Sequence, residues 1–168
     1  MVAEGFNIAA ISPRELSHIG VTLGPGSFTG LRVGLSFAKG LASGLGLKLA
    51  GIGTLEALNH HPDLAGKRVL SAIDGGRGRI YVLANDGPPD VFDPASPPET
   101  DVLTGPAAAL LSTYYPCTDV FNQAWPSLEA IHALTLAPGH DDVTPLYMRD
   151  ADAVVSTRGI ISLQGSAA

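Results

Sequence analysis

Cysteine occurs once in this 168-residue sequence, at Cys117, so no disulfide can form within the chain. No cationic residue flanks it, and it reads as a packing residue, not a nucleophile. Cations are also scarce. Ten Lys and Arg against sixteen Asp and Glu leave a formal charge of −6, which argues against a dedicated nucleic-acid surface, because phosphate binding draws on clustered Lys and Arg. Any RNA would have to be held by a partner. Long apolar runs are missing as well: residues 41–52 are broken by glycines and Lys48, and nothing approaches the roughly 20 apolar residues of a membrane-spanning helix. Residues 1–6 carry neither the basic start nor the apolar stretch of a secretory signal, so the expected location is the cytoplasm, with no membrane contact.

What is present is an apolar content of 45%, enough for one core or two small lobes that share an interface. Val2, Phe6, Ala9 and Ala10 fall at helical spacing and point to the last part of a helix. Ser12-Pro13-Arg14-Glu15 combines a Ser cap, Pro at the first helical position and Glu three after the cap, so a short helical turn starts there. A strand is expected over 19–23, a glycine turn over 24–30 and a helix over 31–45. In that helix Val33, Phe37, Leu41 and Leu45 form an apolar stripe, and Arg32, Ser36, Lys39 and Ser43 a polar one. Gly30, Gly34, Ala38 and Ala42 recur every four residues. They leave a smooth groove for another backbone, although each interior Gly costs about 1 kcal/mol relative to Ala.

Gly44 and Gly46 end this helix, and a strand over 48–52 completes a strand, helix, strand unit that favours parallel pairing. Thr54 can cap a helix running to Asn59. The polar stretch 62–67 is the expected lobe boundary. Beyond it, strands over 68–74 and 79–84 flank Gly75-Gly76-Arg77-Gly78, a hairpin signal because glycine tolerates positive φ. Residues 85–100, rich in Pro and acid, read as an exposed connector. Helices are expected over 106–113 and 126–136, with a short strand over 118–121 between them. His18 and His132 stand alone and read as structural.

A strand, a glycine turn and a helix start can bind an anion through free backbone N–H groups and the helix dipole. Residues 24–32 are neither a Walker A loop nor G-x-G-x-x-G. On physical grounds both a structural turn and an anion site remain open.

The full string Gly24-Pro25-Gly26-Ser27-Phe28-Thr29-Gly30-Leu31-Arg32-Val33-Gly34, followed by Ala38-Lys39-Gly40-Leu41-Ala42, resembles the signature of the bacterial TsaB (YeaZ) family, within the glycoprotease-like superfamily. The resemblance extends to Ile52-Gly53-Thr54-Leu55-Glu56-Ala57-Leu58, to Ala72-Ile73-Asp74 with Arg77, Gly78 and Tyr81, and to Pro145-Leu146-Tyr147-Met148-Arg149. Order and spacing match from residue 1 to about 153, loosely between 85 and 126.

The resemblance implies an α/β, actin-like (ASKHA) fold of two lobes, the first over 1–62 and the second over 67–153, with a disordered tail over 154–168. It further implies a non-catalytic scaffold subunit that pairs with TsaD and the ATPase TsaE. Their complex uses ATP to install threonylcarbamoyl on the adenosine beside the tRNA anticodon, and this chain meets tRNA only through it. A homodimer is the other pairing. Interface candidates are Gly30, Gly34, Phe37, Ala38, Leu41 and Ala42 on the helix.

Family members begin with strands and a phosphate loop that precede the segment matching residues 1–6. The first lobe is therefore expected to lack its N-terminal strands, through a start site assigned too late or a decayed copy, and the chain is expected to bind no ATP by itself. The catalytic relative carries a His-x-x-x-His metal pair. Here His60 and His61 are adjacent and cannot share a helix face, so they read as surface residues, and His140-Asp141-Asp142 reads as a solvated acidic turn. Gly75, Gly76 and Arg79 depart from the family's usual hairpin residues, which favours a shaping role for Asp74 and Arg77. The competing readings are a metal-dependent glycoprotease-like hydrolase or ATP-binding enzyme on the same fold, and an inactive fragment.

Overall fold

A computed structural model of the protein describes residues 2–85 and 87–148. Arg149 and the tail expected over 154–168 lie outside the described residues. The chain opens with helix α1 (Val2–Ala9), none of whose residues is buried. Ser12 then caps a 3-10 turn (Pro13–Glu15) as its spacing demands, with the Glu15 carboxylate accepting the Ser12 N–H at 2.6 Å. Strand β1 (His18–Gly24) leads into helix α2 (Phe28–Leu45). The helix starts three residues before the expected Leu31. Ser27 accepts the Gly30 N–H as its cap and so draws Phe28, Thr29 and Gly30 into the first turn. Gly46, at φ 66°, closes it.

Strand β2 (Lys48–Gly53) pairs in parallel with β1, placing Lys48 beside His18 and Ile52 beside Thr22. These two strands form a sheet of their own. Helix α3 (Thr54–Asn59) is capped by Gly53 and not by Thr54, which is its first helical residue; the Gly53 N–H donates to the Glu56 carboxylate at 3.2 Å. The expected polar break at 62–67 also holds a core residue. Leu64, in a 3-10 turn (Pro62–Leu64), is 2% exposed and packs with Val69 and Val102.

Among the described residues the second sheet has five strands. Its hairpin, β3 (Val69–Gly76) and β4 (Arg79–Ala84), turns through Arg77 and Gly78 at φ 55° and 75°, the two positive values that a tight two-residue loop requires. The connector contributes β5 (Asp90–Val91) to the outer side of β4. On the other side of β3 lie β6 (Val102–Thr104) and then β7 (Asp119–Phe121), both parallel. Strand β6 is absent from the sequence expectations, because three residues are too few to show alternation, yet all three are buried between β3 and β7. Helix α4 (Ala108–Leu111) is shorter than the expected 106–113, and the Ala107 N–H before it donates to the Ala72 carbonyl at 3.1 Å. Ser127 caps helix α5 (Leu128–Leu136) through a bond from the Ala130 N–H.

Leu70, Ala72, Val82, Leu103, Ala107, Ala108 and Leu111 form the core on the five-stranded sheet. A second cluster, Ile52, Ala57 and Leu134, brings α5 back onto β2 and α3. The buried Ser71 hydroxyl donates to the Leu55 carbonyl at 3.0 Å and ties α3 to β3, so the polar group is satisfied where it is buried. At the surface Arg68 grips Asp101 and Glu99, and its hydrogen bonds hold the Asp101 carboxyl down to about 2.

Gly105 sits at φ 92°, and a Cβ there would lie 2.5 Å from the Ala72 carbonyl oxygen, whereas Gly46 at φ 66° has open space around it. Gly46→Ala should therefore cost about 1 kcal/mol of stability, from left-handed backbone alone, and Gly105→Ala about 3 kcal/mol. Urea unfolding midpoints measure both, and equal losses would contradict the close approach.

Candidate functional site between the two sheets

Three segments far apart in sequence meet around one cavity of about 570 Å³. The turn after β1 contributes Pro25, Gly26, Ser27, Phe28 and Thr29; the β3–β4 hairpin contributes Asp74, Gly75, Gly76 and Tyr81; residues 146–148 contribute Leu146, Tyr147 and Met148. The hairpin wall depends on a glycine. A Cβ on Gly75 would lie 2.7 Å from the Tyr81 ring, which is itself packed in the core with Leu55 and Leu83. Asp74 shapes the turn by accepting the Gly76 N–H at 2.7 Å.

At the rim the Arg32 guanidinium lies 3.8 Å from the Phe28 ring centroid and donates through Nε to the Tyr147 hydroxyl at 3.2 Å. The two rings are 5.2 Å apart, so cation and aromatics hold one another. The cavity is thus lined by the first turn of α2, the Asp74 side chain and the Phe28, Tyr81 and Tyr147 rings. Among the described residues no Lys or Arg lines it, an arrangement suited to a small polar group and poorly matched to a polyphosphate.

Helix α2 turns a different face inward from the one its apolar stripe implies. Its buried side chains are Leu35, Ala38 and Ala42, and it packs on β1 and β2, while Val33 is 65% and Phe37 53% exposed. Small side chains suit the inner face because they let the helix approach its strands closely. The small-residue stripe is therefore divided. Ala38 and Ala42 are buried within the chain, Leu41 is half-buried, and Gly30, Gly34 and Phe37 are exposed.

Residues 1–103 match the family described as "TsaD: tRNA N6-adenosine threonylcarbamoyltransferase". The chain belongs to this family, on its TsaB/YeaZ side. Proteins called "tRNA threonylcarbamoyladenosine biosynthesis protein TsaB" are similar to it: that of Escherichia coli is 35% identical over 83 residues, 48% of this chain and 36% of the relative. That of Bacillus subtilis is 35% identical over 75 residues, 45% of this chain and 33% of the relative. The match thus spans about a third of the length of these curated relatives. A crystal structure from Pseudomonas aeruginosa, of a protein with similarity to the peptidase YeaZ, superposes with a TM-score of 0.72 at 22% identity, over 89% of this chain and 81% of that one. The fold is the actin-like α/β fold of YeaZ.

The TsaB-type signature residues are accordingly gathered and not scattered. Gly24 is buried behind the cavity, Arg32 stands at its rim, and Arg77 and Gly78 form the exposed hairpin tip beyond it. The histidines depart from their reading as surface residues. His60 is exposed, but His61 is half-buried, stacks on Phe121 at 4.7 Å and accepts the Asp63 N–H. His140 is not in a solvated turn: its Nε2 lies 3.0 Å from Glu56 Oε1, and its carbonyl accepts the Gly51 N–H. The two partners are 84 residues apart, and no local signal links them. Both line a second cavity of about 470 Å³, together with His60 and Asp142, whose carboxyl is held below its ordinary range by Thr144. Among the described residues no three His, Cys, Asp or Glu side chains gather as a metal site requires. Cys117, expected to be packed, is exposed, because it lies in a surface turn that the Thr118 N–H closes by donating to the Tyr115 carbonyl.

The rim generates a graded test. Tyr147→Ala should lower stability by about 1 kcal/mol through loss of the ring contact, and Tyr147→Phe by about 0.5 kcal/mol through loss of the Arg32 bond alone. Urea unfolding of the two variants measures the difference, and a reversed order would show that stacking does not hold the rim.

Proposed function

We propose that this chain is a non-catalytic scaffold subunit of the machinery that forms threonylcarbamoyladenosine beside the tRNA anticodon. It pairs with TsaD, works in the complex that includes TsaE, and meets tRNA only through that complex. Membership of the TsaB/YeaZ family supports the pathway. The observation that carries the scaffold role is the outer face of α2. Gly34 has nothing within 4 Å of where a Cβ would stand, Gly30 is exposed one turn before it with Ser27 at 3.4 Å from such a Cβ, and Val33 and Phe37 are exposed beside them. Apolar surface interleaved with glycine suits a close helix-to-helix contact, with TsaD or with a second copy as the partner.

The same proposal makes ATP a substrate of the complex and not a ligand of this chain, in keeping with a cavity that, among the described residues, no Lys or Arg lines. It places the protein in the cytoplasm and treats residues 1–62 and 67–153 as the two lobes.

Gly34→Leu tests the interface directly. Because the site is open, the variant should fold with unchanged circular dichroism and unfolding midpoint, yet lose capture of co-expressed cognate TsaD by at least tenfold, about 1.4 kcal/mol. Undiminished capture with a folded variant would refute the α2 interface. Calorimetry with ATP should give no heat of binding, and micromolar affinity would overturn the assignment of nucleotide to the partners.

A further inference from the structure

We infer that residues 139–148 are a strap that opens and closes as one unit over the β1–β2 pair, with the Glu56–His140 contact as its fastener. The strap is anchored near both ends. On β2 the Gly51 N–H donates to the His140 carbonyl at 2.8 Å, and the Leu146 N–H donates to the Leu23 carbonyl on β1 at 2.8 Å. Between these anchors the Thr144 N–H turns back onto Asp142 Oδ1 at 2.9 Å, so that bond is spent inside the strap. The strap passes so close to β2 that a Cβ on Gly51 would meet the Asp142 carbonyl oxygen.

None of its ten residues is buried; Asp141, Asp142 and Thr144 are exposed, and Val143, Pro145 and Leu146 are half-buried. Segments held by a few polar contacts and little buried apolar surface open at a lower free energy than the core does. The fastener is the best-shielded polar contact the strap makes to a helix, with side chains 14% exposed at His140 and 31% at Glu56. Glu56 is set in advance: its second oxygen takes the Gly53 N–H, so the α3 cap orients the carboxylate before His140 arrives. Closure also has a cost. His140 Nδ1 is buried with no hydrogen-bond partner among the described residues, and opening returns it to water. A preset acceptor on one ring nitrogen and an unsatisfied atom on the other describe a contact balanced for release.

Leu146 lines both cavities, as does Pro25 of the glycine turn, so the strap forms part of the wall between them. Opening removes Leu146 from both, withdraws Tyr147 and Met148 from the first, and frees the Gly51 N–H and the Leu23 carbonyl for another backbone. This behaviour does not depend on the scaffold role.

Native-state hydrogen exchange by NMR on the full chain tests it. In the unaltered protein the Gly51 and Leu146 amides should share one opening constant, larger than that of Leu70 and Leu103 in β3 and β6. His140→Ala should raise exchange of both strap-linked amides by about tenfold and leave Leu70 and Leu103 unchanged. Glu56→Gln, which retains an oxygen for the Gly53 N–H, should act in the same direction, and His132→Ala, exposed on α5, should have no effect. Unrelated constants for Gly51 and Leu146 in the unaltered protein would overturn the single unit, even if a variant failed to fold. No change in His140→Ala, a change at one anchor only, or equal acceleration of all four amides would overturn the fastener.

Discussion

A sheet of two parallel strands cannot bury its own faces, and the cover that β1 and β2 require governs much of the rest of the molecule. Helix α2 supplies part of it locally. The remainder arrives from the far end of the chain, where α5 packs on both strands and residues 139–148 cross over them. Two glycines mark the closeness of that approach: a Cβ on Gly20 would meet the Thr135 hydroxyl, and one on Gly51 the Asp142 carbonyl. With side chains at those positions, neither segment could reach the strands at its present distance.

The candidate site follows from this return of the chain. Once residues 139–148 cross the strand pair, Tyr147 is delivered to Phe28 and Arg32, and Met148 to the cluster of Leu55, Tyr81 and Leu83. The glycine turn, the hairpin and the final segment then enclose one cavity. Its chemistry differs from what a glycine turn at a helix start implies. Arg32, the cation nearest the turn in sequence, is committed to two rings at the rim, and among the described residues the charged side chain in the lining is the carboxylate of Asp74. The segment that identifies the family is therefore engaged in packing at this rim, and the helix face beyond it is exposed.

Features set within four residues were legible. Ser12 with Glu15 and the Arg77-Gly78 turn fall where caps and positive φ place them, and the strand, helix, strand unit pairs in parallel. Helix starts were less so, because several residues compete for one cap: Ser27 displaced Leu31 as the boundary, and Gly53 displaced Thr54. Strand β6 left no periodic trace in three residues, and its identity comes from lying between β3 and β7. The face of α2 was ambiguous in principle, since large apolar and small residues formed parallel stripes and either could have met the sheet.

Local backbone sterics, capping chemistry and a long family signature thus lay open to reading in one dimension: the elements, their α/β order and the TsaB/YeaZ kinship. Long-range contact supplied what remained. Which side of α2 faces water depends on how it packs on the strands that flank it, and which residues wall the cavity and why Glu56 meets His140 depend on segments far apart in sequence, 84 residues for that pair, arriving at the same place. Burial is a property of that arrival, and no window along the chain contains it.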